Sequence, residues 1–159
     1  MKLETRSVVA AAITAAVFVA APAYGAGEPE MQGNVTFMSG GVGDDEAAAM
    51  KSAAPGYPLE LHFVQKATPR DEFLADVKVR ITDRRSRNVV LDTVAKGPFL
   101  LAKLPSGSYN IEADHVGVVK RQTIEVRAGK HSRSVFVWAA SDGTRESRLE
   151  PPARDTPLR

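Results

Sequence analysis

Between Gly97 and Val126 the chain reads GPFLLAKLPSGSYNIEADHVGVVKRQTIEV, and this stretch limits the possible folds more than any other. An apolar run from Phe99 to Leu104 meets the turn-forming Pro105-Ser106-Gly107. The residues that follow alternate, with Tyr109, Ile111 and Ala113 on one side and Asn110, Glu112 and Asp114 on the other. Successive side chains of a strand point to opposite faces, so this period of two describes a strand with one buried and one wet face. Gly117 turns the chain back into a partner at Gln122 to Arg127, with Ile124 and Val126 inward and Thr123, Glu125 and Arg127 outward. Turns that close hairpins between alternating strands imply an all-β protein built of packed antiparallel layers.

The same period runs upstream. Asn34 to Met38 reads as a first strand, and the glycines Gly40, Gly41 and Gly43 break it. These glycines lack the lysine and the spacing of a phosphate-binding loop, so they read as a turn. Asp44 or Asp45 is placed to cap a short helix over residues 44–54, with Glu46 at its positive end and Pro55-Gly56 at its stop. Its stripe of Ala47, Met50 and Ala54 suits a helix lying across a sheet. Tyr57 to Lys66 alternates Leu59, Leu61 and Phe63 against Glu60 and His62, which puts His62 on a wet face. Phe73 to Asp83 alternates Val77, Val79 and Ile81 against Lys78, Arg80 and Thr82. Asn88 to Asp92 begins another strand. The nearly continuous apolar run Phe99 to Leu104 implies burial on both faces, and Ser134 to Trp138, apolar on both sides, reads as a central strand. About seven strands in two sheets give a β-sandwich with one helix.

The first 25 residues have a different character. Lys2 and Arg6 precede an apolar run from Val8 to Ala21, interrupted only by Thr14, and Ala23-Tyr24-Gly25 follows. That is the layout of a signal peptide cut between Gly25 and Ala26, and an apolar run of 14 residues is shorter than the roughly 20 a spanning helix needs. Export to the periplasm is the expectation, secretion the second choice, with no transmembrane helix after signal removal. Removing 25 residues from 159 leaves 134, one domain's worth, over residues 26–138. With no cysteine, that domain is held by burial alone. Removing Lys2, Arg6 and Glu4 from 21 basic and 19 acidic residues leaves a net charge of +1, which gives no nucleic-acid footprint. Residues 139–159 carry three prolines and no aromatic residue, the composition of a disordered tail.

With Leu104, Pro105, Gly107 and Tyr109 in an L-P-x-G-x-Y loop, and Ala128-Gly129 ahead of the last strand, residues 73–138 resemble a carboxypeptidase regulatory-like domain, a transthyretin-like seven-stranded sandwich. The segment LADVKVRITDRRSRNVVLDT looks like that family's opening hairpin. The resemblance implies a folding or interaction module rather than a catalytic one. In the residues themselves, Tyr109 suits a core anchor whose hydroxyl reaches a backbone group, and Gly107 permits the turn.

Candidate sites are sparse. His62, His115 and His131 are the only histidines, and their spacing gives no metal-binding pattern, so they read as exposed and unrelated. No G-x-S-x-G elbow occurs, and Ser106 belongs to the turn. The acidic trio Asp44, Asp45 and Glu46 lacks a calcium-loop spacing. Arg80, Arg84, Arg85 and Arg87 read as a solvated basic hairpin over residues 80–87. The expectation is a non-enzymatic periplasmic module without cofactor, binding a protein or envelope partner through a sheet edge or the loops at one end. The alternative is a small-ligand or metal carrier using the helix region and His62.

Overall fold

The computed structural model describes residues 27–140. The expected signal peptide with its Gly25–Ala26 cleavage point, and the tail from 141 onward, lie outside the described residues. In chain order the elements are β1 (Glu30–Gln32), β2 (Val35–Gly40), α1 (Asp44–Ala53) with a 3-10 turn (Ala54–Gly56), β3 (Leu59–Gln65), β4 (Glu72–Phe73), β5 (Val77–Asp83), β6 (Val89–Ala95), β7 (Phe99–Lys103), β8 (Gly107–His115), β9 (Val118–Val126) and β10 (Ser132–Trp138). The first sheet has the order β1-β2-β7-β3-β10, with β4 added on β3, and the second has the order β6-β5-β8-β9. This is the expected β-sandwich with its one helix.

The inward residues of both sheets meet in one core, which contains Leu59, Leu61, Phe63, Val77, Val79, Ile81, Leu100, Tyr109, Ile111, Phe136 and Trp138. The period of two assigned the buried face correctly for the strands that hold Leu59, Leu61 and Phe63, Val77, Val79 and Ile81, and Tyr109 and Ile111. Tyr109 is buried, and its hydroxyl donates to the Pro105 carbonyl at 2.8 Å, so the ring anchors the core while its polar end fastens the turn four residues back. Gly107 serves that anchor by closeness. A Cβ there would meet the Tyr109 ring and hydroxyl at 3.3–3.4 Å, and the backbone is not in the left-handed region.

Several expectations are corrected. The described residues form ten strands rather than about seven, because the lead-in supplies β1 and the segment beginning at Phe73 breaks at Leu74–Asp76 into β4 and β5. The last strand is not central. Among the described residues β10 lies at the border of the first sheet and pairs with β3 alone, which it joins in parallel, so the sandwich is not purely antiparallel. Its alternation is Phe136 and Trp138 inward against Val135 and Val137 outward, the latter 42% and 41% exposed. The helix also starts differently. Gly43, at φ +88°, occupies the N-cap and no aspartate side chain caps it; Glu46 accepts from the Val42 N–H at 3.0 Å instead. Asp44 already lies within the first turn, where its side chain cannot serve as the residue before the helix.

The position of α1 explains why β7 is apolar throughout. Leu100 and Ala102 face the main core, whereas Phe99 and Leu101 face outward and join Met38, Met50, Ala54 and Tyr57 in a second, smaller core beneath the helix. Gly41, at φ +101°, lets the chain leave β2 across the Phe99 ring, where a Cβ would overlap the ring carbons.

Candidate functional site

The two outer faces of the sandwich differ in chemistry. The second sheet carries a row of alternating charge across its four strands, Asp92, Arg80, Glu112 and Arg121, each in register with the next. Arg80 pairs with Asp92 at 2.8 Å and Arg121 with Glu112 at 2.5 Å, which makes this a solvated face. On the first sheet, α1 covers the columns of β2 and β7 but leaves those of β3 and β10 open. There Val137, Val64 and Phe73 lie side by side in register, with Val135 in the neighbouring row beside His62. Phe73 is 66% exposed, and its ring stands 5.9 Å from that of Phe99.

Next to this apolar row is a buried charge. Glu60 points outward from β3 yet is only 2% exposed. His62 Nε2 meets its Oε1 at 2.5 Å, His131 Nε2 meets its Oε2 at 2.6 Å, and Arg133 Nε donates to Oε2 at 3.1 Å. The second nitrogen of His131, Nδ1, bonds the Tyr57 carbonyl at 2.8 Å. Burial alone would push the Glu60 carboxyl up. The hydrogen bonds from His62, His131 and Arg133, with the charge of His62, outweigh it and hold the carboxyl below its usual range.

The histidine expectation is therefore corrected for two of the three. His62 and His131 converge on one carboxylate, because the parallel pairing of β10 with β3 sets Arg133 opposite Glu60 and brings the residues just before β10 alongside. His115 stands elsewhere, in β8, with its ring 5.9 Å from Trp138. Among the described residues, no group of three or more histidine, cysteine, aspartate or glutamate side chains is arranged to hold a metal ion. At the Glu60 cluster both Nε2 atoms are occupied by the carboxylate, and the fixed charge of Arg133 opposes a cation. The arrangement instead fastens the start of β10 to β3 and to the turn before β3, around one buried charge.

The sandwich's open sides are closed by side chains. Between β9 and β10, Gln122 donates to the Val135 carbonyl at 3.0 Å, Ser132 to the Glu125 carbonyl at 3.2 Å and Trp138 Nε1 to the Val118 carbonyl at 2.8 Å, while Ser134 bonds Gln122. On the opposite side, Gln32 accepts from the Asp92 N–H at 2.6 Å and Ser39 from the Lys96 N–H at 3.1 Å. Side-chain bonds of this kind take up strand-edge groups that edge pairing would need, which turns attention from edge to face.

The four arginines do not make one basic patch. Arg80 sits mid-strand on the charged row, whereas Arg84, Arg85 and Arg87 belong to a turn organised by Asp83, whose Oδ1 accepts from the N–H groups of Arg85 and Ser86 at 2.8 and 2.7 Å.

No protein-family model matches the chain, and no curated protein does. Three chains of solved structure match. One is a minor pilin of the gram-positive pathogen Streptococcus agalactiae, 15% identical, with a TM-score of 0.42 over 64% of this chain and 47% of the pilin. This chain thus spans about half the pilin's length. So slight a likeness carries no argument, and the β-sandwich rests on its own strand pairing.

Proposed function

We propose that the chain is an exported, non-enzymatic interaction module of the cell envelope, and that it docks a protein partner on the open face of its first sheet. The observation that carries this reading is the row of Phe73, Val135 and Val137, exposed apolar side chains around the half-buried Val64, beside a helix that covers the columns of β2 and β7 on the same face. Exposed apolar clusters with a polar rim mark binding surfaces. The rim at the Glu60 end is cationic: Arg133 is exposed beyond its single bond to Glu60, and Lys130 precedes it. The partner that fits has an apolar patch flanked by acidic residues.

The layout of residues 1–25 supports export, and no helix of the described residues is long and apolar enough to cross a membrane. The resemblance of residues 73–138 to carboxypeptidase regulatory-like domains supports the module reading. The carrier reading has less support, because the imidazoles it would use are engaged with Glu60.

The test is in-cell crosslinking in envelope fractions, comparing the native protein with the double variant Val135→Lys/Val137→Lys and with Arg121→Ala on the opposite face. A crosslinked species that falls at least tenfold in the valine variant and persists in the arginine variant is expected. Equal crosslinking in all three would remove the face from consideration.

A further inference from the structure

His131 presents a hydrogen-bonding problem that its surroundings answer in one way. Its Nδ1 faces the Tyr57 carbonyl at 2.8 Å and its Nε2 faces the Glu60 carboxylate at 2.6 Å. A carbonyl and a carboxylate only accept. Neutral imidazole has one N–H and one lone pair, so it makes one of these bonds and aims its lone pair at the other oxygen. Both bonds exist together only when the ring carries two protons. A proton on Glu60 would serve as well, but the Arg133 guanidinium on the same Oε2 favours the ionised carboxylate.

We propose that this knot is a proton-operated latch on β10: with both ring protons in place, His131 ties Glu60 of β3 to the Tyr57 turn at the point where β10 begins, and loss of one proton breaks one of those ties. The strand so held carries Val135 and Val137, half of the open apolar row. Its first amide, Ser132 N–H, bonds the Pro58 carbonyl at 2.8 Å, directly between the two tied segments.

The charges around His131 are consistent with this role. From β3 come Glu60 and His62, from β10 Arg133, and from the preceding turn Lys130. From β9 comes Glu125, whose carbonyl accepts from the Ser132 hydroxyl and whose carboxylate pairs with Arg127, just past the strand, at 2.7 Å. β7 supplies Lys103, its Nζ 5.0 Å from the centre of the Tyr57 ring. Among the described residues Glu60 is the carboxylate bonded to the ring, and the imidazolium shares that counter-charge with Arg133 and His62. His62 differs, because its single bond to Oε1 needs only one ring proton.

The latch rests on the docking-face reading for its purpose, but it is read without a partner. Imidazole nitrogen resonances of the full exported domain, followed from about pH 5 to 9, report the ring directly. Where both the Tyr57 and the Glu60 bonds are made, both nitrogens of His131 are expected in the protonated range. As the ring loses a proton, amide-exchange protection of Ser132, corrected for intrinsic rate, is expected to fall about tenfold. His131→Gln, with one amide in place of two ring donors, is expected to show low protection at every pH, while His62→Gln keeps the native profile. A His131 that stays singly protonated across the series, or Ser132 protection that does not follow the ring protons, overturns the latch. If His131 behaves as expected while the lysine variant keeps its crosslink, the docking face fails and the latch stands.

Discussion

At the scale of single residues, two buried polar contacts set measurable limits. Tyr109 fastens the 104–107 turn with its hydroxyl, through the Pro105 carbonyl. Tyr109→Phe keeps the ring in the core and removes that bond, so a loss of about 1–2 kcal/mol in urea unfolding is expected, with an unchanged fold. Glu60 sets the acid limit. Its carboxyl is held below the usual range in the folded protein, so its contribution to stability is complete above the unfolded-state value of about 4.5 and disappears as pH falls through the lower folded value. The melting temperature is therefore expected to drop on acidification below about pH 4.5. Glu60→Gln should flatten that limb while lowering stability at neutral pH, since His131 and Arg133 then face a neutral amide. An acid limb as steep in the variant as in the native protein would assign the effect to other carboxylates.

The behaviour of whole elements follows from which faces they cover. Helix α1 is short and starts without a side-chain cap, so packing holds it rather than propensity. Met50 is the helix's own buried residue, on its underside, and Met50→Ala is expected to cost about 2–4 kcal/mol by urea denaturation. Because Phe99 and Leu101 lie under the same helix, that variant should also bind more of a hydrophobic dye than the native domain does. β10 is the other exposed element. It carries the chain's one tryptophan, Trp138, buried with Nε1 bonded across the seam to Val118, so tryptophan emission reads the attachment of β10 to the sandwich. Gln122→Ala removes the bond to the Val135 carbonyl and the contact with Ser134, and a red-shifted emission in denaturant below the main unfolding transition is the expected result.

For the molecule as a whole, the composition of residues 141–159 predicts that truncation after Ala140 leaves the melting temperature within a few degrees of native; a larger fall would mean the tail is packed. The sequence determined the sandwich itself. Alternation at Val77, Val79 and Ile81, or at Tyr109, Ile111 and Ala113, is a local property, since a strand's own geometry decides which residues share a face. It also determined the Tyr109 anchor, whose partner lies four residues away. Partnership between distant strands has no such local record. Glu60-x-His62 and His131-x-Arg133 each look like wet positions of an alternating strand, and only the parallel pairing of β3 with β10 superposes them across 71 residues. Likewise, Val135 and Val137 imply a central strand until the sheet order leaves β10 at its border. Tertiary structure alone decided where the buried charge and the open apolar face lie, because both arise where segments far apart in the chain meet.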